Sequence, residues 1–261
     1  MNDRYPFILQ TIQEAGDLLL SLRQKKFEVS TKGGDPRDLV TTVDLAIDNF
    51  IKSKIKEKFG DESIYSEESK EQINPVGSFW SIDPIDGTSN FVRGIPHFAV
   101  CLTYLNGYEP LMGAVYNPVT KDLFSFQKGS GAFLNSRKIF VSTISRINDA
   151  YVLLHIGRRE ELRDWGIKLQ CFLLGAAKKN INLGSSALDL CFLAAGRVDA
   201  VIYGSLTTLD VAVALGLVRE AGGEIYTLQG KPVSLSSKPQ TILASTSRVL
   251  FEEINRGSCS I

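Results

Sequence analysis

The stretch Trp80-Ser81-Ile82-Asp83-Pro84-Ile85-Asp86-Gly87-Thr88-Ser89-Asn90-Phe91 decides how this chain is read. An apolar strand runs into two aspartates three residues apart, Pro84 restricts the backbone between them, and Gly87-Thr88 follows where a helix should begin. Two carboxylates that cannot relax apart are costly when both are ionised, and a hard cation such as Mg²⁺ relieves that cost by taking oxygen ligands. Gly87 lets the backbone approach a ligand closely, while amides and the Thr88 hydroxyl at a helix N-terminus suit a phosphate. Read alone, the same residues also fit a turn that ends a strand, with Thr88 as an ordinary cap.

Two further acidic stretches change the balance. Upstream, Ile64-Tyr65 leads into Ser66-Glu67-Glu68-Ser69, again a short apolar strand delivering carboxylates. Downstream, Thr208-Leu209-Asp210-Val211-Ala212 puts Asp210 at the start of an apolar helix that continues to Glu220-Ala221-Gly222-Gly223. Separately, the glutamates read as a solvated charge run and Asp210 as an N-cap.

Around these stretches the pattern is that of a folded chain of 261 residues. Ile8, Ile12, Ala15, Leu19 and Leu22 share one helix face, and a second helical pattern runs from Val43 to Ile55 before Gly60-Asp61. Between them, Ser30–Pro36 reads as a mobile loop. Phe79–Ile82, Phe98–Tyr104, Leu111–Tyr116 and Leu123–Phe126 read as strands of a mostly antiparallel sheet, and Gly129-Ser130-Gly131 as a hairpin turn. After Val141, strands at Tyr151–His155, Ile181–Leu183, Val198–Tyr203 and Thr241–Ser245 alternate with helices, an α/β arrangement. We therefore expect a sub-domain of helices and antiparallel sheet over residues 1–140, an α/β sub-domain over 141–255, and a disordered tail over 256–261.

Composition narrows the function classes. Lys+Arg and Asp+Glu both number 29, which argues against a protein that coats nucleic acid or an anionic membrane. That neutrality is uneven: residues 61–90 hold seven acidic residues and one basic, a net −6 that leaves +6 on the remainder. Four cysteines without CxxC spacing, no signal-peptide pattern and no long apolar run predict a reduced, cytoplasmic protein whose cysteines act as small apolar residues.

Taken together, Ser66–Ser69, Trp80–Phe91 and Leu209-Asp210-Val211-Ala212 through Gly223 resemble the inositol monophosphatase family of Mg²⁺-dependent, lithium-sensitive phosphatases. The similarity is collinear from the Lys32 loop to Gly223 and includes Pro36–Asp44, Lys128–Phe133 and Gly184–Leu190. It implies a layered α/β/α/β/α sandwich and a homodimer. It also implies a first metal on Glu67, Asp83 and the Ile85 carbonyl, and a second on Asp83, Asp86 and Asp210. A third, weaker ion would sit near Glu67 and the mobile loop. In the same pattern Asp44 and Thr88 orient and deprotonate the attacking water, so Asp44, Thr88 and Glu67 are the catalytic residues. The amides of Gly87 and Thr88, with the Gly184-Ser185-Ser186 loop, would bind a small phosphorylated substrate. The reaction implied is in-line hydrolysis of a phosphomonoester without a phosphoenzyme. His97 reads as structural.

Tyr203 stands where family members that act on inositol phosphates commonly place a glutamate for the ring hydroxyls, and Leu209 stands where the family usually has Trp. The expectation is a polyol or sugar phosphate, with inositol 1-phosphate first. Fructose 1,6-bisphosphate, histidinol phosphate and 3′-phosphoadenosine phosphates are the alternatives within the scaffold, and a regulatory binding protein is the alternative outside enzymes.

Overall fold

The computed structural model describes residues 3–36, 38–68, 77–157, 159–207, 211–236 and 238–259, with 258 and 259 by their backbone alone. Helix α1 (Arg4–Arg23) buries the stripe Ile8, Ile12, Ala15 and Leu19 completely, as its 4-3-4 spacing dictates. Each such Ile or Leu contributes about 1.5–3 kcal/mol. Strands β1 (Val29–Thr31) and β2 (Leu39–Thr41) form an antiparallel hairpin. Ser30 and Thr31, expected in a loop, are therefore strand residues, because the β-branched Val29 and Thr31 find partners in Thr41 and Leu39. Helix α2 (Thr42–Phe59) opens with a capping box: Thr41 Oγ1 accepts from the amides of Val43 and Asp44, while the Asp44 carboxylate accepts from the Thr41 amide.

The first sheet follows, with β3 (Ile64–Ser66), β4 (Ser78–Asp86), β5 (Ala99–Asn106), β6 (Glu109–Asn117), β7 (Asp122–Gln127), β8 (Gly131–Leu134) and β9 (Arg137–Ile139) side by side in chain order. Only the β3–β4 pair is parallel. The short helix α3 (Thr88–Arg93) interrupts the sequence after β4. The β7–β8 connection is the expected hairpin turn, and Glu220 clamps it by accepting from the amides of Gly129 and Gly131, both at 2.9 Å.

The remaining chain alternates: β10 (Tyr151–His155), α4 (Arg163–Ala176), β11 (Lys179–Ile181), α5 (Ser186–Ala194), β12 (Ala200–Leu206), α6 (Ala212–Glu220), β13 (Glu224–Thr227), β14 (Gln240–Ser245) and α7 (Arg248–Cys259). The second sheet has the order β11-β10-β12-β14-β13, with β10 parallel to both neighbours and β14 antiparallel to both of its own. Strands β8, β9 and β13 are too short to stand out as sequence patterns. Helix α7 corrects the expected disordered tail as far as residue 259: Leu250, Phe251 and Ile254 are buried, and Gly257 lies against the Phe172 ring.

Five layers result. Helices α1 and α2 cover the outer face of the first sheet, α5 and α6 fill the space between the sheets, and α4 and α7 cover the second sheet from outside. The central core draws on both sheets, so it runs through the sequence position, near residue 141, where the pattern changes. Cys101 and Cys191 are buried there, whereas Cys171 is exposed and does not pack as an apolar residue. Among the described residues no helix is long and apolar enough to cross a membrane.

One irregularity positions the site. Along β4, Asp83 pairs with Cys101 but Asp86 pairs with Ala99, so Pro84 and Ile85 of β4 stand against Val100 alone of β5. Pro84 cannot donate to the ladder, and the extra residue forms a bulge there. Strict alternation would send side chains three apart to opposite faces. The bulge resets the phase, and Asp83 and Asp86 both point, with Cys101 and Ala99, toward α5 and α6.

The central layer tolerates no added volume. A Cβ on Gly216 of α6 would come within 2.3 Å of the buried Phe126 ring. Gly216→Ala is expected to cost about 1–3 kcal/mol and to lower Tm by roughly 2–10 °C. Calorimetry checks this, and an unchanged midpoint would mean that α6 stands further from β7 than described.

Candidate active site

A cleft of about 610 Å³ opens where the end of β4 and the start of α3 face the first turn of α5 and the C-terminal ends of β10 and β12. Glu67, Asp83, Ile85, Asp86, Gly87, Thr88, Gly184 and Ser186 all line it. Parallel strands commonly present ligand sites at their C-terminal ends, where loops are free to vary.

Asp86 is heavily engaged. It accepts hydrogen bonds from the Ser185 hydroxyl, from the Ser186 hydroxyl at 2.7 Å, and from the amides of Ser186 at 3.2 Å and Ala187 at 3.0 Å. These are the first-turn donors of α5, where the helix dipole also favours a negative charge. Burial nonetheless raises the Asp86 pKa, and the Ser185 and Ser186 hydroxyls with the Ala187 amide offset only part of that. Ser185, expected to touch substrate, is buried and turned toward Asp86, behind the cleft wall. Its hydroxyl also caps α5 through the Leu188 amide.

Asp83 is buried and accepts from the Ile85 amide at 3.1 Å. The Ile85 carbonyl accepts from the Thr88 hydroxyl at 2.9 Å, and the same hydroxyl lies 3.4 Å from Asp44 Oδ1. The other Asp44 oxygen accepts from the Thr41 amide and hydroxyl at 2.8 and 2.5 Å. Burial, with the negative charge of Glu67 adding to it, raises the Asp44 pKa against the lowering effect of the Thr41 hydrogen bonds.

Gly87 caps α3 with φ of 87°, a left-handed conformation open to glycine, and a Cβ there would meet the His97 carbonyl at 3.0 Å. Asn90 braces this turn by donating to the carbonyls of His97 at 2.8 Å and Leu183 at 2.9 Å.

Glu67 reaches the cleft from the end of β3. Lys32, in the β1–β2 turn, donates to Glu67 at 2.6 Å and pairs with Glu68 at 2.8 Å. Burial disfavours the Lys32 ammonium, but the attraction of the two glutamates holds its pKa well above the ordinary lysine value. Sequence reasoning placed the loop near Glu67 without singling out this lysine. It also missed Asp189, which stands one helical turn after Ser185 and Ser186 and meets His97 Nε2 at 2.9 Å and the Tyr203 hydroxyl at 2.7 Å. The only available signal was that spacing on the helix. His97 itself reaches Asp189 rather than the cleft-lining carboxylates.

Asp210 lies outside the described residues, and among those described no three carboxylate, imidazole or thiol groups converge as a closed metal-ligand set. Asp83, Asp86, Glu67 and the Ile85 carbonyl are hard oxygen donors on one side of a single cleft, the donor chemistry that Mg²⁺ takes.

A model of the inositol monophosphatase family matches residues 2–261. A Thermotoga maritima protein named fructose-1,6-bisphosphatase/inositol-1-monophosphatase is 32% identical over 237 residues, covering 90% of this chain and 89% of that protein. Nus factor SuhB of Xylella fastidiosa is 33% identical over 225 residues, covering 85% of this chain and 81% of its own. Among solved structures, a Thermotoga maritima IMPase superposes with a TM-score of 0.87 at 29% identity, covering 99% of this chain and 97% of that one.

The raised Asp44 pKa carries a signed consequence. Ionising a buried carboxyl costs the folded state, so the penalty is absent at low pH and appears as pH rises through the folded-state pKa. Asp44→Asn keeps a carbonyl oxygen for Thr41 and turns its amide toward the Thr88 hydroxyl. Without divalent cations the variant is expected to match or exceed the parent's thermal midpoint near neutral pH, with an advantage that fades as pH falls into the carboxylate range. Thermal unfolding in EDTA from about pH 4 to about pH 8 checks this; a variant less stable at neutral pH would overturn the burial argument.

Proposed function

The chain belongs to the inositol monophosphatase family of phosphatases, and we propose that it hydrolyses the phosphomonoester of a polyol or sugar phosphate, inositol 1-phosphate being the first to test, with Mg²⁺ as cofactor. The observation that carries this reading is the β4 bulge, which turns Asp83 and Asp86 to one face beside the start of α3. Glu67, Asp83, Asp86 and the Ile85 carbonyl would hold the cations, two or three per site, with Asp210 as the remaining expected ligand. Bound divalent ions supply Lewis acidity toward the phosphate and lower the pKa of water.

The chain's own residues supply the rest. Asp44, held by Thr41 in a fixed rotamer and adjoining Thr88, is placed to orient the attacking water and take its proton. The amides of Gly87 and Thr88 would bind phosphate oxygens, since the left-handed Gly87 brings backbone close to a ligand in a way no side chain obstructs. Gly184 and Ser186 border the same space. The homodimer and lithium sensitivity implied by the resemblance, and the cytoplasmic location expected from the cysteine and apolar patterns, belong to this proposal.

EDTA should abolish phosphomonoester turnover and added Mg²⁺ should restore it. Asp83→Asn is expected to lower kcat roughly hundredfold or more while the fold persists by circular dichroism. Parental rates in that variant, or turnover indifferent to chelation, would remove Asp83 from the ligand set.

A further inference from the structure

The strand that delivers Glu67 to the cleft has little sheet to hold it. Strand β3 is three residues long, stands at the edge of the first sheet, and pairs on one side alone, in parallel with β4. Parallel pairing is slightly weaker per residue than antiparallel pairing. The register sets Ser66 beside Ile82, and one further bond, from the Glu67 amide to the Ile82 carbonyl at 3.2 Å, lays the Glu67 backbone next to Asp83.

A side-chain tie from α2 secures this strand end. Ser66 is buried, and its hydroxyl donates to Asp48 Oδ1 at 2.6 Å while accepting from the Glu68 amide at 3.2 Å. The two bonds bracket Glu67. Asp48 is buried as well, one turn after Asp44 on the same face of α2, and Lys52 a further turn on donates to its other oxygen at 2.6 Å. Neither Asp48 nor Ser66 lines the cleft. Lys32 also holds Glu67, but by the carboxylate, where it engages an oxygen that a cation would need. The tie through Ser66 grips the backbone and engages no Glu67 carboxylate oxygen.

We propose that Asp48 is a positioning residue for the cation site: through Ser66 it locks the end of β3, so that the Glu67 and Asp83 carboxylates can serve one cation together. Asp44 rides on the same helix, so α2 fixes the group placed to take the proton and the cation ligands relative to each other. The proposal rests on the phosphatase reading above, in which Glu67 and Asp83 are metal ligands.

Binding of Mn²⁺ to the metal-stripped protein, read from the EPR signal of the free ion, tests this apart from turnover. Ser66→Ala deletes one hydroxyl and leaves Asp48 its bond from Lys52; it is expected to weaken Mn²⁺ binding about tenfold, as loss of a group that orients a ligand typically does. Ser66→Thr keeps the hydroxyl and should recover most of that loss. Asp48→Ala should weaken binding to a similar extent, with little further loss when combined with Ser66→Ala, because both remove the same connection. Where Asp48→Ala fails to fold, Ser66→Ala and Ser66→Thr decide. Lys52→Met disturbs the same carboxylate without touching Ser66 and should bind Mn²⁺ as the parent does. In turnover of inositol 1-phosphate, the Mg²⁺ concentration giving half the maximal rate should rise in Ser66→Ala by the factor seen with Mn²⁺. Parental Mn²⁺ affinity in Ser66→Ala, no recovery in Ser66→Thr, or an equal loss in Lys52→Met overturns the positioning role while the phosphatase reading stands. A parent that binds no Mn²⁺ overturns both.

Discussion

A carboxylate buried between two sheets stays ionised only if its environment supplies donors, and Asp86 receives them all from one place, the first turn of α5. Leaving a buried acceptor unsatisfied costs about 1–3 kcal/mol, and more when it is charged. The contact therefore fastens the end of β4 to the helix layer between the sheets. It also sets the distance between the carboxylate cluster and the ends of β10 and β12, because α5 packs on β12. The same helix carries Asp189, which holds Tyr203 on one side and His97 on the other. One helix thus organises both ends of the cleft.

The charge distribution follows from this arrangement. Burial is the leading cause of the raised pKa at Asp44, Glu68 and Asp86, so ionising these neighbouring carboxyl groups is costly. Lys32 brings a tethered positive charge to Glu67 and Glu68 from a hairpin whose first strand is exposed. A divalent cation held there, as proposed, would gain from the same concentration of carboxylates.

Much of this was legible beforehand because it depends on local pattern. The helix stripe from Ile8 to Leu19, the Gly87-Thr88 helix start, the Gly129–Gly131 turn and the alternation after Val141 each follow from periodicity or turn chemistry within a short window. The resemblance carried by Asp83–Thr88 and its companions then named the layered sandwich. Short polar strands such as β9 and β13 had no pattern to show, since their pairing is decided by neighbours far along the chain. The helical end of α7 was hidden for the same reason: the Phe172 ring that Gly257 packs against lies far along the chain.

The sequence by itself determined which groups are available: carboxylates at Glu67, Asp83 and Asp86, a glycine before Thr88, and Tyr203 where a glutamate was expected. Their spacing along the chain does not say which way they face. Asp83 and Asp86, three apart, would diverge on a regular strand; the bulge at Pro84 makes them converge, and a bulge exists only against the partner strand β5. Ser185 matched a substrate loop by position, yet an aspartate 99 residues earlier claims its hydroxyl. Tyr203 brought a hydroxyl, and only the packing of α5 decided that Asp189 would take it, because hydrogen-bond partners are chosen by distance in space and not along the chain.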